Sequence, residues 1–161
     1  MTVHLPRRLW NSLRIAARDA FPNEEFAILL GKRLKNKDYQ IKYLFFPPNR
    51  GDTEDPVYVN TQNIWYEAAQ KLAKQFDLEV LGDIHTHCYD AAKVVGVPGA
   101  HPSEIDWIGA ETLCRETRGK YRLMGIVRVL KKGKRMLCTV RFWPAISLPI
   151  TKICAASTSK T

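Results

Sequence analysis

The run Leu78–Thr86 is apolar and β-branched enough to be a strand, and it leads directly into His87. Residues two apart on a strand point to the same face, so His85 and His87 present both imidazoles to one point. Downstream, Ser103-Glu104-Ile105-Asp106 opens a helical pattern that would put the Asp106 carboxylate in the first turn, able to complete a His/His/Asp set. Two imidazoles and a carboxylate, with a fourth position left to water, describe a catalytic zinc site rather than a closed structural one. Such an ion lowers the pKa of its water from 15.7 to roughly 7, so the chemistry on offer is hydrolysis at neutral pH.

Each piece has an ordinary alternative. A His-x-His spacing occurs by chance in many chains, and Ser103-x-x-Asp106 is also a helix N-terminal capping box. Neither alternative explains why the pieces occur together with Pro22-x-Glu24 and an apolar run ending in Gly31. In that order, Pro22-x-Glu24, Gly31, His85-Thr86-His87 and Pro102-Ser103-x-x-Asp106 resemble the JAMM motif of the MPN (JAB) metalloprotease family, in its prokaryotic isopeptidase form. The resemblance implies zinc held by His85, His87 and Asp106, a catalytic glutamate at Glu24, and a serine at Ser103 that stabilises the oxyanion. Glu25 stays open as the alternative to Glu24. Spacing to Gly31 favours Glu24, and strand alternation agrees if Glu24 shares the metal face with Phe26.

The activity implied is zinc-dependent hydrolysis of an isopeptide or peptide bond after the C-terminal tail of ubiquitin or a ubiquitin-like protein. Such a tail is expected to lie as an added strand along a sheet edge. Two departures from the family pattern stand out. Cys88 follows the second histidine where the family usually has proline, and Cys88–Pro102 is a longer loop before the serine than the family's. Cys88 and His101 are therefore possible extra metal contacts, with an ordinary thiol and a surface imidazole as the alternative. Two other function classes remain open: a non-catalytic MPN scaffold, which would have no need of intact ligands, and a nucleic-acid-associated protein like the RadC relatives.

The elements that must position these residues follow in chain order. Val3–Leu5 reads as a short strand, with Pro6 suited to a first helical turn and Leu9, Leu13, Ala16, Ala17 and Ala20 at helical spacing behind it. Phe26–Arg33 and Tyr39–Phe46 read as an antiparallel hairpin, and Pro47–Pro56 as an exposed loop. Val57–Val59 suggests another short strand. Asn60 or Thr61 would then cap a helix with the stripe Ile64, Ala68, Leu72 and Phe76, widened by Trp65, Ala69 and Ala73. A third helix starts after Ser103, with Ile105, Ile108, Gly109, Thr112 and Leu113 expected inward and Gly119 as its cap. Tyr121–Val129 and Met136–Trp143 form a further hairpin around the Lys131–Arg135 turn.

This order predicts a mixed α/β domain over residues 1–145, with 146–161 as a C-terminal tail. The MPN resemblance implies, more specifically, a curved and mostly antiparallel sheet packed between helices in cytidine-deaminase-like layers. A chain of 161 residues with 45% hydrophobic and 25% charged residues is a soluble globular type, with no apolar run long enough for a bilayer. The four cysteines lack a Cys-x-x-Cys pair, which together with the absent secretory start suggests a cytoplasmic, reduced protein. A net charge of +9 favours an acidic partner. Its densest basic group sits on the hairpin turn, so nucleic-acid binding is the minority reading.

Overall fold

Apolar residues on both faces of Phe26–Arg33 mark a strand covered on both sides, and it is one of the two central strands of a six-stranded sheet. The computed structural model of the chain describes residues 1–35, 38–47, 63–96 and 99–145. Its elements in order are β1 (Val3–His4), α1 (Arg7–Ala20), β2 (Phe26–Arg33), β3 (Tyr39–Phe45), α2 (Asn63–Gln75), β4 (Glu79–Asp90), α3 (Glu104–Glu116), β5 (Leu123–Lys132) and β6 (Arg135–Pro144). The sheet order is β1-β3-β2-β4-β5-β6. Only β1 with β3 and β4 with β5 run parallel, and the β2–β3 and β5–β6 hairpins are antiparallel as expected. The expected strand at Val57–Val59, most of the loop Pro47–Pro56, the caps at Asn60 and Thr61, and the tail lie outside the described residues.

Helices cover both faces of the sheet. On one side Leu13 and Ala17 of α1 pack with Ala27, Leu29, Ile84 and Val127. On the other, Tyr66, Ala69 and Ala73 of α2 and Ala110 of α3 pack with Phe26, Ile28, Met124 and Ile126. Along β4, Gly82 takes φ +153° where a Cβ would overlap the carbonyl oxygen of Leu123 on β5. The strand beyond it then alternates cleanly: Ile84 and Cys88 face the α1 layer, while Asp83, His85 and His87 face α2 and α3.

Two helix faces differ from the sequence reading. In α2, Ile64 is 59% exposed, Phe76 just past its end is 53% exposed, and the buried face is Tyr66, Ala69 and Ala73, flanked by Trp65 and Leu72. Four residues joined by successive i, i+4 steps advance about 40° per step, so that stripe spirals off the core, whereas mixed three- and four-residue steps hold one face. In α3, Ile105 and Ile108 are 75% and 52% exposed, while Trp107, Ala110, Leu113 and Cys114 pack inward. The cause is Asp106. Turning its carboxylate toward β4 brings Ala110 and Leu113, four and seven residues on, to the sheet.

β4 also runs further than its apolar pattern suggested. Cys88, Tyr89 and Asp90 pair with Val129, Leu130 and Lys131 of β5. A proline at 88 has no N–H to donate, so the cysteine lets the strand continue. The connection to α3 is thereby shortened at its start. No helix among the described residues is long and apolar enough to cross a membrane.

Candidate metal centre

β4 supplies two donors and the first turn of α3 the third. Asp106 Oδ1 lies 3.0 Å from His85 Nε2, and Asp106 Oδ2 lies 3.2 Å from His87 Nε2. The two Nε2 atoms are themselves 3.2 Å apart. Among the described residues these three form the one group of donors placed to hold a metal ion. With metal–ligand distances of ~2.0–2.1 Å, a tetrahedral ion has ligand–ligand edges of ~3.3–3.4 Å. The three spacings approach that edge, so the donor set fits such an ion in chemistry and in size.

Two imidazole nitrogens and a carboxylate facing one point also set the local protonation. Burial alone would lower the His85 pKa, but the Asp106 and Asp83 carboxylates at its two ring nitrogens outweigh it and raise the value to about 10. Asp106 experiences the reverse. Burial pushes its carboxyl upward, and the hydrogen bonds from both histidines, the charge of His85 and the bond from Ser103 hold it far below the usual carboxylate range. A cation is what this arrangement favours between its donors, whether proton or metal.

Ser103 caps α3 in a complete capping box. Its Oγ accepts from the Asp106 N–H at 3.2 Å and donates to Asp106 Oδ2 at 2.7 Å, and its own N–H donates to the same Oδ2. The capping box expected at Ser103-x-x-Asp106 therefore forms, and it includes the carboxylate that faces the two histidines. One cap orients the third donor.

On the β2 side, Phe26 stands opposite His85 in the ladder. The next pair, Glu25 and Thr86, is joined by Thr86 N–H donating to the Glu25 carbonyl at 2.9 Å and Glu25 N–H donating to Thr86 Oγ1 at 2.7 Å. Glu25 turns its carboxylate back onto the chain, where Oε1 accepts from the Phe26 N–H at 2.9 Å, and burial raises its pKa. Glu24 is close enough that its charge adds to burial in raising the pKa of both Cys88 and Tyr89. Tyr89 packs against His87, with ring centroids 6.5 Å apart, and also feels the charge of Asp106. Glu24 and the donor cluster thus share Tyr89 as a neighbour.

Cys88 and His101 stand outside the donor cluster. The Cys88 thiol donates to the Asn23 carbonyl at 3.3 Å, and burial first, with Glu24 and Cys138, raises its pKa to about 11. His101 Nε2 lies 3.5 Å from Arg141 Nη1 and its ring packs near Trp143. Sequence reasoning missed Asp83, Tyr66, Thr86 and Tyr121, which line the same strand face or brace it. The signal for Asp83 was present: it precedes His85 by two, so it shares its face.

The family model for prokaryotic homologs of the JAB domain matches residues 6–144. No curated protein matches at a significant level. Among solved structures, a protein from Desulfitobacterium hafniense is similar at a TM-score of 0.57 and 19% identity, over 86% of this chain and 82% of that one. A Salinibacter ruber protein is similar at 0.50 and 22%, over 87% and 80%. A JAB1/MPN domain protein from Archaeoglobus fulgidus is similar at 0.48 and 18%, over 90% and 88%. With the family match spanning nearly all of the described residues, the chain belongs to the prokaryotic homologs of the JAB domain.

Proposed function

We propose that the protein is a zinc-dependent metallopeptidase that hydrolyses the isopeptide or peptide bond after the C-terminal tail of ubiquitin or a ubiquitin-like protein. The observation that carries this reading is the convergence of His85 Nε2, His87 Nε2 and the Asp106 carboxylate within 3.2 Å contacts. Membership of the JAB-domain family supports the proposed substrate class, which comes from the isopeptidases that the motif resembles.

His85, His87 and Asp106 would hold the ion. When bound, zinc supplies Lewis acidity, polarising the scissile carbonyl and making a water acidic enough to attack near neutral pH. Glu24 accepts the proton of the attacking water and returns it to the leaving amine nitrogen, so that the products are a carboxylate and a free amine. Ser103 turns its hydroxyl from Asp106 toward the carbonyl oxygen and donates to it as negative charge develops. Thr86 and Glu25 take no part in proton transfer. Their reciprocal bonds hold the β2 end beside β4, which keeps Glu24 at the site.

The test is a cleavage assay with a ubiquitin-like protein fused to a reporter through its C-terminal tail. Zinc-loaded protein should release the reporter, and His85→Ala and His87→Ala should abolish release. Zinc bound at one per chain with no cleavage of any such fusion would leave a metal-binding scaffold and remove the peptidase reading.

A further inference from the structure

The three donors leave a buried polar cluster behind His85 unexplained. Asp83 precedes His85 by two residues on β4 and is 5% exposed. A buried carboxylate is costly unless it is hydrogen-bonded and paired. Its partners come from three elements. The Tyr66 hydroxyl on α2 donates to Asp83 Oδ2 at 2.9 Å, Tyr121 just ahead of β5 also bonds Asp83, and His85 Nδ1 faces Asp83 Oδ1 at 3.9 Å. Burial and then the Asp83 charge raise both tyrosines well above their ordinary pKa, so both remain donors.

His85 therefore has a carboxylate at each ring nitrogen: Asp106 at Nε2 and Asp83 at Nδ1. An imidazole that ligates a metal gives one nitrogen's lone pair to the ion and carries its proton on the other. A carboxylate facing the protonated nitrogen fixes the tautomer and raises the basicity of the ligating one. The 3.9 Å separation is an ion-pair distance, longer than a hydrogen bond, and a small turn of the ring would close it.

We propose that Asp83, clamped by Tyr66 and Tyr121, is the positioning residue that holds the His85 proton on Nδ1 and so presents Nε2 to the metal. This inference rests on the zinc-site reading above. It makes α2 part of the metal centre although α2 contributes no ligand, because Tyr66 fixes the carboxylate that fixes the ring.

Asp83→Asn keeps the shape and the acceptor for Tyr66 while removing the charge. Zinc is titrated into the chelator-stripped full chain against a competing indicator, with Co2+ absorption recorded in parallel and thermal melting followed in chelator. D83N should bind zinc 10–100-fold more weakly than the wild type, with an altered cobalt d–d band and a melting temperature in chelator close to wild type. Tyr66→Phe, which keeps the charge, should weaken zinc less. Wild-type zinc affinity in folded D83N overturns the proposal, as does a loss of affinity that only follows a fall in melting temperature. A second measurement needs no variant. In the zinc-loaded wild type, nitrogen NMR should find a slowly exchanging proton on His85 Nδ1, and a metal-bound Nδ1 overturns the proposal. A wild-type protein that binds no zinc overturns the zinc-site reading itself, and this inference with it.

Discussion

Thr86 and Glu25 exchange two hydrogen bonds across the β4–β2 junction, one from the Thr86 N–H and one to the Thr86 hydroxyl. With Phe26 opposite His85, this pairing sets Glu25 opposite Thr86, and alternation gives Glu24 the sense of Phe26 and His85. Glu24→Gln should therefore retain zinc and fold while losing about 10²–10⁴-fold in kcat, because an amide cannot accept the water's proton. Glu25→Gln should keep kcat within about tenfold. Steady-state kinetics on a reporter fusion decide it, and the reverse ranking would move the base to Glu25.

Zinc binding should displace a proton from His85, whose pKa is held at about 10. The sign follows: the imidazolium is the form favoured below that value, so protons compete with metal and affinity rises with pH. For one displaced proton the rise is about tenfold per pH unit between pH 6 and 8. In chelator the same group acts oppositely on the fold. Its stabilisation is fully present below pH 6.5 and is lost as pH rises toward 10. Indicator titrations and urea melts at several pH values measure the two trends.

Cys88 should be a poor nucleophile despite its place beside the site. Its thiol is shifted from an ordinary 9.0 to about 11, so at pH 8 the thiolate fraction is about a hundredfold below that of an unperturbed cysteine. Iodoacetamide labelling followed by peptide mass spectrometry should modify Cys88 correspondingly slowly. As the folded state holds this proton more tightly, the group's contribution to stability is lost between pH 9 and 11.

Gly82→Ala should destabilise the fold by about 3 kcal/mol or more, since a Cβ at φ +153° would overlap the Leu123 carbonyl in the parallel β4–β5 pair. The urea midpoint measures it. A midpoint within error of wild type would mean that the two strands separate at this point at little cost.

The convergence of the three candidate donors was legible because alternation on one strand and a helix start are local rules. His85 and His87 needed only a period of two, and Asp106 only its place after Ser103. What was not legible depended on combining rules. The apolar stripe of α3 was read without requiring Asp106 to face the same way, which left Ile105 and Ile108 assigned to a core they do not reach. Tyr66 was passed over in α2 because its hydroxyl counts against burial until Asp83, seventeen residues on, supplies the acceptor. The end of β4 was hidden because Cys88-Tyr89-Asp90 becomes strand by pairing with β5, a partner some forty residues away.

A metal shared by β4 and α3 would close the loop between His87 and Ser103 like a clasp. The entropy of closing a flexible loop grows only logarithmically with its length, so doubling that segment costs about 0.6 kcal/mol. Against the binding energy of an ion this is small. The stretch from Ala91 to Pro102, with the fully exposed Val95 near its middle and Ala100 buried near its end, is therefore a place where sequence can be inserted without taxing the clasp. Length can therefore vary between the second histidine and the helix cap at little cost in stability.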